Sequence, residues 1–516
     1  MKKSVFKRGA GAAVALAVVA ALAQIPSGAA TTKLTFSSPL RLRPWAGGEP
    51  SIAFDPTGAR AYVVAPQSGP SIGYAVDFDP VVNPSHQALW DTQQSAGGCP
   101  DVSPVCIAEP QPPGAPQWTG GTNGVGFWAS WDGGKSFPSS LAKNIGDGTG
   151  GWDSDVTVGS DGNVYVADLD VTDTAICTST DRGRTFSSTG VAGDTCQTLA
   201  LNRQGPETDR QWLTVGRHGE LYLTYHDLAG GYPVMLVSKD KGKTFTPCGT
   251  IIDPLGVASD NYTPLGGTLV AKPVIGKDGT IYVTVTEPEI VSSVFSPVGS
   301  PLSQLYVAVL PQGACSPDAV FDNYKIYGND DADFALFNSL AIDGSGVLYA
   351  VAAGATKSGQ PTQNVWLFVS RNGGRTWGAP KTVNTSGLKT NMLPAIAGGV
   401  GKNQVAIGWY GSATTNDRNN ERNQWRYYIA TSLDGGKTFT QVAATSVLHY
   451  GAICDLGVFC DSGRNLADFS SIAVNPKTGV VIAAIPGDPW NRPASGVDDF
   501  GSQTYVVRQT GGYYLK

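Results

Sequence analysis

Beyond its first thirty residues the chain has no apolar run long enough to cross a bilayer, since a spanning helix needs about 20 consecutive apolar residues. It also lacks any long stretch of 3.6-residue apolar periodicity, which excludes a helical bundle. No C-x-x-C occurs, and the four histidines (His86, His218, His226, His449) show no ligand spacing. A zinc site is thereby left as the weak rival to disulfides. No P-loop and no H-E-x-x-H pattern appears, so no motif calls for a nucleotide or a catalytic zinc. Charged residues make up only 15%, with 36 Lys and Arg against 42 Asp and Glu. A basic surface for nucleic acid is not expected from that balance.

What is present begins with a leader. MKKSVFKR is basic, GAGAAVALAVVAALA is short and Ala-rich, and Ser27–Ala30 offers small residues for cleavage. Residues 1–30 read as a secretory signal peptide, cut after Ala29 or Ala30. Removing them takes four cations and no acid, so 32 basic residues face 42 acidic ones, a net charge of −10. The expectation is an exported, monomeric protein without a membrane span. Eight cysteines follow, an even number that suggests disulfides in an exported chain. Sequence does not fix the pairing, and neighbours in sequence are the simplest choice: 99–106, 177–196, 248–315 and 454–460.

Abundant Gly (65) and plentiful aromatics suit an all-β domain with many tight turns. One phrase recurs five times: SWDGGKSF from Ser130, STDRGRTF from Ser179, SKDKGKTF from Ser238, SRNGGRTW from Ser370 and SLDGGKTF from Ser432. Upstream of these phrases lie seven strand–turn–strand patterns, opening at Glu49, Asp153, Asp209, Ala271, Phe337, Met392 and Ala467. Asp161-Gly162 and Asp278-Gly279 are hairpin signals. A third strand carries the phrase at its end, and the aromatic that closes the phrase begins a fourth. Four antiparallel strands repeating at this period describe a β-propeller blade. Residues 31–516 are therefore expected to form one propeller of seven blades, with six as the alternative. Residues 66–122 form an insertion in the first blade. Residues 33–43 supply the outer strand that the last blade lacks, leaving no open edge.

The phrase matches the Asp-box, Ser-x-Asp-x-Gly-x-Thr-Trp/Phe, also called the bacterial neuraminidase repeat. The chain resembles secreted bacterial Asp-box proteins of the sialidase-like propeller superfamily along nearly its whole mature length. The resemblance implies that the phrase builds a peripheral turn, so Asp132, Asp181, Asp240, Asp434 and Asn372 are structural. The physics agrees: an Asp side chain in a tight turn accepts backbone N–H bonds, and Gly supplies positive φ.

Chemistry is expected at the other end of the strands, where the hairpins open and second strands end. The catalytic candidates are Glu49, Asp153, Asp155, Asp209, Asp468 and Tyr225. The substrate-binding candidates are Arg210, Lys272, Asn338, Arg426 and Arg464. A glycosidase needs two carboxyl groups around the cleaved bond, or a Tyr–Glu couple with an acid. The sialidase resemblance implies the second set: Arg210, Arg426 and Arg464 as a carboxylate clamp, with Tyr225 or Tyr427 activated by Glu287 or Glu289. The family's Phe/Tyr-Arg-Ile-Pro opening is missing, and Leu40-Arg-Leu-Arg-Pro44 is the nearest text. A carboxylate pair drawn from Asp153, Asp155, Asp209 and Asp468 is the rival set. Trp45, Trp90, Trp118 and Trp490 sit in loop-like contexts suited to stacking on sugars, and His226 ends a strand as a base or a structural group. No metal and no cofactor is expected. The function read from this pattern is a sialidase-like glycoside hydrolase on extracellular glycans. The alternative is a non-catalytic propeller that binds a glycan or a protein.

Overall fold

The computed structural model describes residues 33–44, 47–66, 124–145, 153–169, 174–186, 197–198, 208–227, 232–253, 269–288, 302–360, 362–385, 387–454, 463, 465–466, 468–489 and 502–516. Apart from one 3-10 turn, Ser139–Leu141, every regular element among them is a β-strand. Residues 1–30, expected to be a signal peptide, and nearly all of the 66–122 insertion lie outside the described residues, as do Trp45, Trp90, Trp118 and Trp490.

The strands form six antiparallel sheets around one axis. The first holds Ser51–Phe54, Ala61–Pro66, Val125–Ser130 and Lys143–Ile145. Two more follow the same order, starting at Ser154–Val158 and Thr208–Val215. A nine-stranded sheet contains two such repeats, joined through the pair Leu302 and Phe334. Another four-stranded sheet opens with Thr390–Gly398. The last runs Ser471–Val474, Val481–Gly487 and Gln503–Gly511. Its outer edge comes from the other end of the chain, where Thr35–Phe36 and Leu40–Arg41 pair with Gln503–Gly511. This is the clasp expected from residues 33–43. It also explains Leu40-Arg-Leu-Arg-Pro44, whose Leu40 and Arg41 belong to that edge strand, remote from the axis. All seven hairpins anticipated from the sequence are present, and each first strand lies innermost beside the next, with the last beside the first.

Second strands such as Leu348–Ala355 and Val481–Gly487 are buried on both faces. They read as unbroken small and β-branched runs because each sheet is packed between two neighbours. The joints are apolar clusters; one between the last two units gathers Tyr410, Trp425, Tyr427, Ile485 and Val507. Cys248 and Cys315 are joined, as the nearest-neighbour pairing expected. The pairings involving Cys99, Cys106, Cys196 and Cys460 fall outside the described residues.

The five repeated turns share one hydrogen-bond scheme. In the last, the Ser432 hydroxyl donates to Asp434 Oδ1 (2.8 Å), and Gly436 N–H donates to Ser432 Oγ (2.9 Å). Thr438 N–H and hydroxyl donate to the two Asp434 oxygens at 2.9 and 2.6 Å. Asn372 folds the same turn, donating its Nδ2 to Thr376 Oγ1 at 2.8 Å. Two consecutive residues are left-handed, such as Gly435 (φ 76°) and Gly436 (φ 81°). The first of the two is Arg182 or Lys241 in two of the turns, at φ 67° and 66°. The second is always glycine, and each of these touches the preceding unit. A Cβ on Gly436 would stand 2.4 Å from Leu367, on Gly374 3.2 Å from Val307, and on Gly134 2.1 Å from Ile482. The turn is thus a docking point of one sheet on the one before it. The expected start of the fourth strand at the closing aromatic is later in some units: Phe137 precedes Lys143–Ile145 by a 3-10 turn.

Candidate functional site

The first strands set the site by register. Glu49, Asp153, Arg210, Phe337, Leu393 and Phe469 each stand five residues before the last residue of a first strand. Equivalent positions in a ring of sheets meet near the axis. Here they bring two acids and a guanidinium against three apolar side chains. At Glu49, Arg210 and Leu393 the backbone is left-handed (φ 47°, 57° and 53°). In the strands of Arg210 and Leu393 the ladder is interrupted there, between Asp209 and Trp212 and between Met392 and Ala395. Such bulges re-aim a side chain out of the strand's alternation.

Arg210 is the hub. Its guanidinium contacts the Asp468 carboxylate across the axis and lies 3.4 Å from Asp209 and 4.0 Å from both Glu49 and Asp153. It also rests 4.7 Å above the Phe337 ring. Glu49 accepts the Asp468 backbone N–H at 2.9 Å, tying the first and last units together. Four carboxyl groups around one guanidinium cannot all be ionised cheaply in a buried place. The tension appears at Asp209. Burial raises its pKa; Arg210 pulls it back, and the neighbouring Asp153, hydrogen-bonded to it, raises it again. A hydrogen bond between two carboxyl groups requires a proton between them. Asp209 is also the most open member, its side chain 28% exposed against 1% for Asp468 and 3% for Glu49.

His226 faces Asp209 across the strand pair. Burial, and then the charge of Arg210, lower its pKa to about 4. It is therefore a neutral imidazole at ordinary pH, and its Nε2 has no hydrogen-bond partner among the described residues. It stands at the end of its strand, as expected, opposite the cluster's Asp209.

Below the cluster, Trp212, Phe337 and Phe469 close the axis, with ring centroids 4.9 Å apart for Trp212–Phe469 and 6.3 Å for Phe337–Phe469. This aromatic floor was not foreseen. The signal was available, because Phe337 and Phe469 hold the register position of Arg210. Beyond it lies a cavity of about 440 Å³ lined by first strands of every unit. Asp155 and Lys272 line that cavity and not the Arg210 cluster. Asp155 accepts from the Ser51 hydroxyl (2.6 Å), Lys272 Nζ (2.7 Å) and the Leu213 N–H (2.7 Å). With three donors and full burial, it ties the first, third and fourth units to its own.

The remaining candidates separate further. Asn338 clips the fifth unit to Thr284 and Thr286 of the fourth. Tyr225 is buried with Leu213, Leu223 and Tyr165 between the second and third units. The Tyr427 hydroxyl is bonded to Ser470 at 2.8 Å and fully buried. Arg426 is exposed on a third strand, paired with Gly411 and Val447. Arg464 and Glu289 lie outside the described residues. The structure thus joins Glu49, Asp153, Asp209, Arg210 and Asp468, and places Asp155, Lys272, Asn338, Tyr225 and Arg426 elsewhere. Among the described residues no group of three or more His, Cys, Asp or Glu is placed to hold a metal ion.

No family model matches the chain, and no curated protein matches it. Solved structures do. One is an ulvan lyase, a polysaccharide lyase bound to -[GlcA(1-4)Rha3S]- (TM-score 0.48, 10% identity, covering 91% of this chain and 96% of that one). Another is a Hadza microbial sialidase (TM-score 0.39, 12% identity, 74% and 73%). A third is an α-L-arabinofuranosidase of Fusarium graminearum (TM-score 0.40, 13% identity, 69% and 92%). At such identities the reaction of each remains its own.

Proposed function

We propose that the chain is a secreted, sialidase-like Asp-box propeller that acts on glycans, a glycoside hydrolase working from the Arg210 end. Counting each hairpin unit as one blade gives seven. The observation that carries the reading is Asp209: a solvent-reachable carboxyl group whose pKa is raised by burial and by Asp153, beside a fixed guanidinium. A carboxylic acid with a raised pKa is what protonates a departing glycosidic oxygen. Arg210, pinned by Asp468 and Glu49, keeps positive charge at the same place and suits an acidic or strongly hydroxylated sugar. Asp153 positions the proton and does not serve as the second carboxyl group. Its hydrogen bond to Asp209 is closer than the roughly 5 Å that separates a retaining pair.

That last point, with Asp468 buried under Arg210, also favours a second reading, a propeller that binds a glycan without cleaving it. One experiment separates the two. Mature protein and the Asp209→Asn variant are screened on fluorogenic glycosides, a sialoside included, and on a glycan array. The hydrolase reading expects turnover that the variant loses while remaining folded. Saturable binding with no product from either protein would replace it with the binding reading.

A further inference from the structure

The repeated turns carry more positive charge than their folding role requires. Each has Lys or Arg at its sixth position: Lys135, Arg184, Lys243, Arg375 and Lys437. All five are exposed. The turn needs only a backbone N–H there, as Lys135 and Lys437 show by donating theirs to Asp132 and Asp434 at 2.9 Å. Arg182, Lys239, Lys241 and Arg371 add further cations, so the five turns hold nine basic residues and four acidic ones in a chain with 36 against 42. The four aspartates are engaged inward by the hydroxyls and N–H groups of their own turns. Arg182 and Lys241 also occupy left-handed positions that other turns give to Gly133, Gly373 and Gly435. A cation is kept there against the backbone's preference for glycine.

The first two turns share a surface. Trp131 of the first, 37% exposed, has Arg184 of the second 4.2 Å from its ring centroid and Arg60 at 5.4 Å. The guanidiniums of Arg60, Arg182 and Arg184 all act on the Tyr62 hydroxyl. Some cations have local partners: Arg60 pairs with Asp55 (3.1 Å), Lys241 with Asp161 (3.2 Å), and Arg371 bonds Asn403 (2.6 Å). Lys135, Arg184, Arg375 and Lys437 form no ion pair with a carboxylate among the described residues.

We propose that this basic face, at the opposite end of the strands from Arg210, docks an acidic polysaccharide, a chain bearing carboxylate or sulfate groups. The charge calls for a polyanion. The choice of a polysaccharide rests on the glycan-active reading above. Bidentate guanidinium contacts suit both groups, and cation–π contact with Trp131 holds Arg184 in place beforehand.

The test measures affinity for dextran sulfate at physiological salt, with neutral dextran and a single-stranded oligonucleotide as comparators. Wild-type protein binds dextran sulfate, ignores dextran, and weakens as salt rises. A variant with Lys135, Arg184, Lys243, Arg375 and Lys437 all changed to Gln loses affinity by about tenfold or more. A variant that exchanges Lys and Arg at the same five places keeps it, separating charge from folding. The five-Gln variant keeps whatever glycoside turnover the wild type shows, so failure of the catalytic reading and failure of this one are distinct. Equal binding by the Gln variant, no preference over dextran, or tighter binding to the oligonucleotide would each overturn the proposal.

Discussion

Gly436 tests why the turn recurs. It is left-handed (φ 81°), and a Cβ there would stand 2.4 Å from Leu367 Cδ2 on the preceding unit. Gly435 beside it is equally left-handed (φ 76°), but its Cβ would meet side-chain ends, those of Arg371 and Asn403, and no packed apolar group. Alanine in the left-handed region costs about 1 to 2 kcal/mol. Forcing a methyl into a packed joint adds about 1 to 3 kcal/mol. The stiffer unfolded chain returns about 0.4 to 1 kcal/mol. Gly436→Ala should therefore cost about 1 to 5 kcal/mol, centred near 3, and Gly435→Ala about 0 to 1.6 kcal/mol, centred near 1. Urea midpoints at constant m-value measure both. Equal costs for the two would refute the docking role and leave only a turn that needs positive φ.

Other expectations follow from the same structure. Arg210→Met should destabilise by about 3 to 5 kcal/mol at neutral pH, because it strands buried carboxylates. The loss should shrink as pH falls and those carboxylates take up protons, read as urea midpoints across the acid range. Asp209→Asn should make the protein relatively more stable at neutral pH than at low pH. A folded pKa raised above the unfolded one gives stability present in acid and lost as pH rises through it. Asp181, Asp240 and Asp434, lowered to about 2 mainly by Thr185, Thr244 and Thr438 against the opposing effect of burial, behave oppositely. Their contribution is full above about pH 4 and is lost as pH falls toward 2, visible as steepening acid unfolding. Replacing Cys248 and Cys315 by Ser opens a loop of 67 residues and should lower stability by about 4 kcal/mol.

The repeat made most of the fold legible. Alternating strands such as Val156–Val158 and the Asp-Gly turns fixed the hairpins, and the phrase fixed the third strands. The site was legible only as a list. Hairpin openings named Glu49, Asp153, Asp209, Arg210 and Asp468, which the structure gathers in one cluster because equivalent register positions meet at the axis. They could not separate Asp155 and Lys272, each two residues past the register position: a two-residue step keeps the face of the strand but moves about 7 Å along it, past the aromatic floor and into the cavity. The bulge at Arg210 and the floor of Trp212, Phe337 and Phe469 depend on contacts between distant units. No local pattern states them. Arg426 entered through the sialidase resemblance, and its third-strand position keeps it from the axis.

The most direct test of the account is the pH profile of turnover on the glycoside that the screen identifies, for wild type and Asp209→Asn in parallel. The account predicts activity that falls as pH rises through the raised pKa of Asp209, and none in the folded variant. Turnover that survives Asp209→Asn with its pH profile unchanged would contradict it.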